Sequence, residues 1–257
     1  MLELERIHKY YNPGTVNEMC LFEDFNLTIR DGEFVSVVGS NGSGKTSMLN
    51  IICGSIPIDR GSITVNGEDI TNMPEYKRQR RIGRVYQNPA MGTCPTMTIL
   101  ENMSLADNKG GSFNLLPGTD KKRIDSYRET LRMLNLGLED KLDIPVGSLS
   151  GGQRQAMALL MATMTPIEFL ILDEHTAALD PKTAELIMEL TDRVVKEKKL
   201  TTIMVTHNLR YAVEYGDRLI MMHQGGIVLD KAKTEKERIR IEDILDKFNE
   251  ISIECGN

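Results

Sequence analysis

The sequence predicts an α/β fold, and three observations carry that prediction. The dense apolar run FVSVVG leads into the glycine-rich segment GSNGSGKT and then into the apolar helix TSMLNIICG, a strand–loop–helix unit. Two more apolar strands, FLILDE and TTIMVTH, follow, with the helical pattern AELIMELTDRVVKEKK between them. Strands apolar at nearly every position are those covered on both faces by helices. The chain of 257 residues is long enough for a sizeable core, and 40% hydrophobic and 26% charged residues describe an ordinary globular protein.

Taken in order, LELERIHKYY alternates apolar and polar residues as a strand does, and FEDFNLTI repeats the pattern after a loop. GSITVNGEDI reads as a small hairpin turning at Asn66-Gly67. From about residue 88 the character changes. Pro89, Pro95 and Pro117, several glycines and the insert DNKGGSFNLLPG precede the helical patterns DKKRIDSYRETLRMLNL and GQRQAMALLMATM. A mainly helical subdomain is expected over about 88–164, inserted into a single domain spanning 1–257. DRLIMMHQGGIVLD reads as a hairpin around Gly225-Gly226. The tail, about 234–257, is amphipathic, with Ile241, Ile244, Leu245 and Phe248 on one helix face.

Composition also narrows function. With 31 basic against 37 acidic residues the net charge is −6, and aromatics are few, which argues against a nucleic-acid binder with a broad basic face. The N-terminus has no apolar core of a signal peptide, and no apolar run is long enough to cross a bilayer. Cys20, Cys53, Cys94 and Cys255 are scattered and form no CxxC pair, so buried free thiols in a reducing compartment are expected.

Gly39-Ser40-Asn41-Gly42-Ser43-Gly44-Lys45-Thr46 matches GxxxxGK[ST]. Glycines at these positions let main-chain N–H groups close around a polyphosphate, Lys45 reaches the β- and γ-phosphates, and the Thr46 hydroxyl ligates Mg²⁺. FLILDE delivers Asp173 and Glu174 to the C-terminal edge of a strand, where α/β sheets bind ligands. Asp173 suits a Mg²⁺ ligand, and Glu174 suits a base for an attacking water. His207 closes TTIMVTH as a candidate to reach a γ-phosphate, and Gln87 closes RIGRVYQ as a candidate to sense metal or water; each also fits an ordinary polar strand end. LSGGQ carries Ser150, Gly151, Gly152 and Gln153 at a helix start, a second anion cradle without a lysine. Met157, Met161 and Met164 recur at helical spacing and read as core.

In this order the motifs resemble those of the nucleotide-binding subunits of ATP-binding cassette (ABC) transporters, over about Leu2 to Asp230. The resemblance implies a P-loop cassette with a RecA-like core, an antiparallel β subdomain and an α-helical subdomain. It makes GSNGSGKT the Walker A loop, Gln87 the Q-loop residue and LSGGQ the signature. FLILDE becomes Walker B, with Glu174 as catalytic base. Asp180 in Ala178-Leu179-Asp180 becomes the D-loop residue, and His207 the H-loop residue. Gln87 joins Thr46 and Asp173 as a metal-site residue. Tyr11 falls where the family stacks an aromatic on adenine; a core tyrosine is the competing reading. His175 departs from the proline usual after the glutamate, which implies altered loop stiffness with hydrolysis retained.

The resemblance further implies ATP with Mg²⁺ and a head-to-tail dimer of two copies. It implies separate transmembrane permease subunits, a place at the cytoplasmic face of the membrane, and in importers a substrate-binding protein. Bacterial amino-acid uptake cassettes, including tryptophan/tyrosine importers, are the nearest in character. An exporter cassette for lipoprotein, peptide or drug, and a soluble non-transport cassette, are the alternatives.

Overall fold

The computed structural model describes residues 1–111, 118–119 and 121–254. Phe113, Leu115 and Leu116 of the glycine-rich insert, and Cys255, lie outside the described residues. The chain divides into two compact units, Met1–Arg78 with Lys199–Asn257, and Gln79–Lys198.

The first unit begins with an antiparallel sheet. Strand β1 (Leu2–Tyr11) lies between β2 (Met19–Ile29) and β4 (Arg60–Val65), and β4 pairs with the short β5 (Glu68–Asp69). The β4–β5 turn is Asn66-Gly67 with φ of 52° and 79°, the left-handed pair a two-residue hairpin needs. A bulge at Glu5-Arg6, with Arg6 at φ 47°, shifts the phase of β1. Leu2 and Leu4 are buried before it, and Ile7 and Lys9 after it, so Tyr11 shares the face of Ile7 and Lys9.

Between β2 and β4 run β3 (Phe34–Gly39), buried throughout, and α1 (Lys45–Cys53). Helix α2 (Glu75–Arg78) closes this half. Its Arg78, 4% exposed, donates to the carbonyls of Ile51 and Ile52 at the C-terminal end of α1, and to those of Thr71 and Met73. Burial lowers the Arg78 pKa, while the four carbonyls satisfy the guanidinium.

The second unit holds β6 (Ile82–Val85), α3 (Ile99–Asp107), α4 (Ile124–Arg132), α5 (Gly151–Ala162), β7 (Phe169–Asp173) and α6 (Pro181–Lys198). Strands β6 and β7 pair in parallel, with Val85 opposite Leu172. Thr98 and Glu101 form a capping box on α3, and Pro181 opens α6 at a position where proline costs no hydrogen bond. The helices expected over about 88–164 all fall inside this unit. In α5 Met157 is fully buried and Met161 half-buried, as is Met164 just beyond the helix.

The chain returns to the first unit with β8 (Thr201–Val205), α7 (Leu209–Glu214), β9 (Arg218–His223), β10 (Gly226–Ala232), α8 (Thr234–Glu237) and α9 (Ile241–Glu254). Strand β3 pairs in parallel with β8 on one side and β9 on the other; β9 and β10 form an antiparallel hairpin.

Three expectations are corrected. The β9–β10 turn is Gln224-Gly225, one residue earlier than Gly225-Gly226, because both take the left-handed conformation and Gly226 already pairs with His223. The buried face of α9 runs through Ile244 and Ile251 with Phe248 packed beside them, while Leu245 is 46% exposed. Of the described cysteines only Cys53 is buried; Cys20 and Cys94 are exposed, Cys20 lying on an outward position of β2.

Candidate functional site

The phosphate-type loop is built by close packing on both sides. A Cβ on Gly39 would sit 2.3 Å from the Met222 carbonyl oxygen, and one on Gly44 would press the Phe22 ring at 3.0 Å. Gly44 also takes φ 101° as it caps α1. The Gly225 N–H donates to the Ser43 carbonyl at 3.1 Å, tying the loop to the β9–β10 turn. Lys45 is 5% exposed, and its ammonium donates to the carbonyls of Gly39 and Ser40, both at 2.8 Å, with Ser43 Oγ at 3.4 Å. Thr46 opens the first turn of α1 and is exposed. The first N–H groups of a helix point along its axis without internal acceptors, so the loop directs donors and a cation toward one place.

Parallel register brings His207 to the same loop. Val37 lies opposite Val205, so Gly39 and His207, each two residues on, stand level at the ends of adjacent strands. The Thr206 N–H donates to the Val37 carbonyl at 3.1 Å, and His207 itself is exposed. Tyr11, half-buried, has the Lys9 ammonium 5.7 Å from its ring centroid. Lys9 in turn pairs with Asp59 at 3.5 Å. The first unit therefore joins Gly39 to Thr46 with His207.

The second unit arranges its residues by the same rule. Val85 opposite Leu172 makes Gln87 level with Glu174 beyond the ends of β6 and β7. Glu174 has φ 50°, left-handed for a non-glycine residue, at a cost of about 1–2 kcal/mol. The next residue, His175, is 2% exposed, with Nε2 at 3.1 Å from Thr191 Oγ1. Thr191 Oγ1 donates its one proton to the Ile187 carbonyl at 2.7 Å, so the histidine is the donor, in its neutral Nε2–H form. The loop carrying Glu174 is thus pinned to α6.

Burial holds the His175 pKa down to about 4. The unfolded chain takes up a proton near pH 6.5 that the folded chain refuses until about pH 4, so stability is full above 6.5 and falls as pH decreases through this window. Urea midpoints at pH 7.5 and pH 5 are expected to show a loss of about 2 kcal/mol in the native chain that His175→Gln lacks. Equal pH slopes in the two proteins would contradict it.

Asp173 ends β7 with its carboxylate on Arg84, Oδ2 to Nη2 at 2.7 Å, both side chains largely buried. Arg84 was not among the sequence-derived candidates; a charge flanked by buried Gly83 and Val85 in RIGRV is the signal for a partner across the pair. Of the residues expected to hold a metal, Thr46 in the first unit carries a hydroxyl, and Gln87 and Asp173 in the second carry an amide oxygen and a carboxylate. Few, hard oxygen donors suit Mg²⁺, which keeps waters and phosphate oxygens as its other ligands. Among the described residues no group of three or more His, Cys, Asp or Glu gathers as a protein-only metal cage.

Ser150 caps α5. Its Oγ accepts from the Gln153 N–H at 3.2 Å, and the Ser150 N–H donates to Gln153 Oε1 at 3.1 Å. Gly151 and Gly152 fill the first turn, and a Cβ on Gly152 would meet Thr183 Cγ2 of α6 at 2.3 Å. That fit requires glycine, and it leaves the helix start bare of side chains. Asp180 caps α6, accepting from the Thr183 N–H at 3.1 Å; the bonds from Thr183 lower its pKa. Gln155, also missed from sequence, is 1% exposed and donates to the Tyr86 carbonyl at 3.1 Å, bracing the residue before Gln87.

Residues 22–177 match the sequence profile described as "ABC transporter". The chain is 48% identical, over 96% of its length and 98% of the relative's, to the tyrosine transport ATP-binding protein of Clostridioides difficile strain R20291. It is 36% identical over 91% of its length to the spermidine/putrescine import ATP-binding protein PotA of Haemophilus influenzae, of which it spans 59%. Among solved structures it resembles a dimeric post-hydrolysis state of the ATP-binding cassette MJ0796 bound to ADP and Pi, with a TM-score of 0.76 and 30% identity. That match covers 90% of this chain and 98% of the other.

Proposed function

The chain belongs to the ABC transporter family as an ATP-binding, ATP-hydrolysing subunit, and from that premise we propose that two copies close head to tail on ATP and so drive uptake of tyrosine or a similar amino acid through separate permease subunits. The observation that carries the dimer reading is the bare, Ser150-capped start of α5. It offers helix-terminal donors to an anion but no lysine, so it completes a site whose cation lies elsewhere. The dimeric cassette bound to ADP and Pi supports the pairing of two copies.

In this mechanism the Gly39–Thr46 loop binds the β- and γ-phosphates of ATP, with Lys45 exchanging its carbonyl acceptors for phosphate oxygens. The Ser150 hydroxyl and the Gly151 and Gly152 N–H groups of the second copy donate to the same γ-phosphate, with Gln153 holding Ser150 in place. Thr46, Asp173 and Gln87 are the residues that would hold Mg²⁺. When bound, that ion neutralises charge developing on the phosphoryl group. Glu174 orients the attacking water and accepts its proton, and His207 contacts the γ-phosphate. Tyr11 stacks on adenine. Asp180, through its cap on α6, holds the segment that faces the second copy. Loss of the γ-phosphate removes the bridge between copies and lets them part.

No helix among the described residues is long and apolar enough to cross a membrane. We therefore assign the transport path to partner subunits, with this chain at the cytoplasmic face of the membrane, and with the helical subdomain of about 88–164 receiving the permease. The amino-acid assignment rests on the tyrosine transport relative. It is tested by uptake of labelled tyrosine, tryptophan and spermidine in cells lacking this chain. Loss of tyrosine uptake, restored by the native chain and not by Glu174→Gln, is expected; loss confined to spermidine would overturn the amino-acid assignment.

A further inference from the structure

Asp173, the carboxylate assigned to the metal, already has a cation. Arg84 Nη2 is 2.7 Å from its Oδ2, and the two side chains are only 12% and 14% exposed. The arginine is itself fixed. It projects from β6, and its guanidinium carbon lies 4.7 Å from the Tyr86 ring centroid. The Tyr86 carbonyl is in turn held by buried Gln155 at 3.1 Å. A charge-assisted bond to a carboxylate, shielded from water and braced by stacking, is among the stronger ones a side chain makes. Any divalent ion on that carboxylate meets the guanidinium as an immediate like-charged neighbour.

We propose that Arg84 is an internal counter-ion for the metal-ligand carboxylate, so that metal capture by this cassette is a cation exchange in which Mg²⁺ displaces or shares the hold of Arg84 on Asp173. Arg84 is here a positioning residue: it keeps Asp173 aimed along β7 and lowers the affinity of the site for a metal ion. An ion pair with no part in the metal site would leave metal affinity untouched. The inference rests on the reading of Asp173 as a metal ligand, and the experiment separates the two.

The full chain is loaded with a non-hydrolysable ATP analogue, and Mn²⁺ is titrated with the free-ion electron paramagnetic resonance signal as readout. Arg84→Met is expected to bind Mn²⁺ on the order of tenfold more tightly than the native chain, at the lower end of the coupling measured for close charge pairs. Arg84→Lys keeps the charge without the planar fork and is expected to fall between them. Asp173→Asn is expected to weaken Mn²⁺ binding, and adding Arg84→Met to it should restore nothing. Unchanged or weaker binding in Arg84→Met, with Asp173→Asn still weakened, overturns the counter-ion role. Native affinity in Asp173→Asn overturns the metal-ligand reading instead. If thermal melting shows that Arg84→Met does not fold, Arg84→Gln replaces it under the same criteria.

Discussion

Glu174→Gln is expected to lose nearly all phosphate release, by about a hundredfold or more, while still binding ATP and accumulating as a dimer. The magnitude is that of removing a general base positioned on the attacking water. The amide keeps the shape of the carboxylate and one acceptor oxygen, but its nitrogen is a donor and it cannot take a proton. The surroundings of this residue explain why binding should survive. Glu174 sits at φ 50°, between Asp173 on its strand and His175 bonded to Thr191, so its backbone is fixed by neighbours the substitution does not touch. The check is a steady-state phosphate assay beside gel filtration with Mg²⁺ and ATP. Turnover at the native rate would remove Glu174 from its role; lost turnover without a dimer would separate the base from the bridging phosphate.

Lys45→Ala is expected to act one step earlier, weakening nucleotide binding itself by about a hundredfold. Hydrogen bonds to a charged partner are worth about 1.5–3 kcal/mol each, and Lys45 is the cation of this loop assigned to the phosphates. The ammonium presently rests on the carbonyls of Gly39 and Ser40 at 2.8 Å. Part of its contribution to ATP is therefore offset by the bonds it leaves, and the loop loses internal bracing in the variant. Calorimetric titration with ATP, alongside a thermal melt of the free protein, separates the two effects. Native ATP affinity in Lys45→Ala would contradict the assignment of Gly39–Thr46 to the phosphates.

What was legible in the sequence was local. GSNGSGKT could be read because its chemistry lies in consecutive main-chain donors and one lysine. FLILDE could be read because four apolar residues end in two acids. What escaped depends on partners set by pairing. Arg84 meets Asp173 only because β6 lies beside β7, and Gln155 meets Tyr86 only because α5 packs near the end of β6. His175 stood out as a departure from the family, but its anchor, Thr191, becomes visible only once α6 turns the hydroxyl toward it. The face of α9 was misread at Leu245 because an apolar residue one position from Ile244 fits a helical stripe equally well on paper. The exposed Cys20 and Cys94 show the limit of composition: a thiol is small enough to sit on either side of a strand or loop.

Arg78 gives the Gly39–Thr46 loop a rear anchor. Helix α1 is only nine residues long, with the loop at its front and the carbonyls of Ile51 and Ile52 at its back resting on one buried guanidinium. A helix so short has little reserve of its own, and fraying at either end travels its whole length. On the proposed assignment of this loop to ATP, the grip is therefore vulnerable from behind: a lesion at Arg78, about two turns of α1 behind the loop, would slacken the cradle as surely as one inside it.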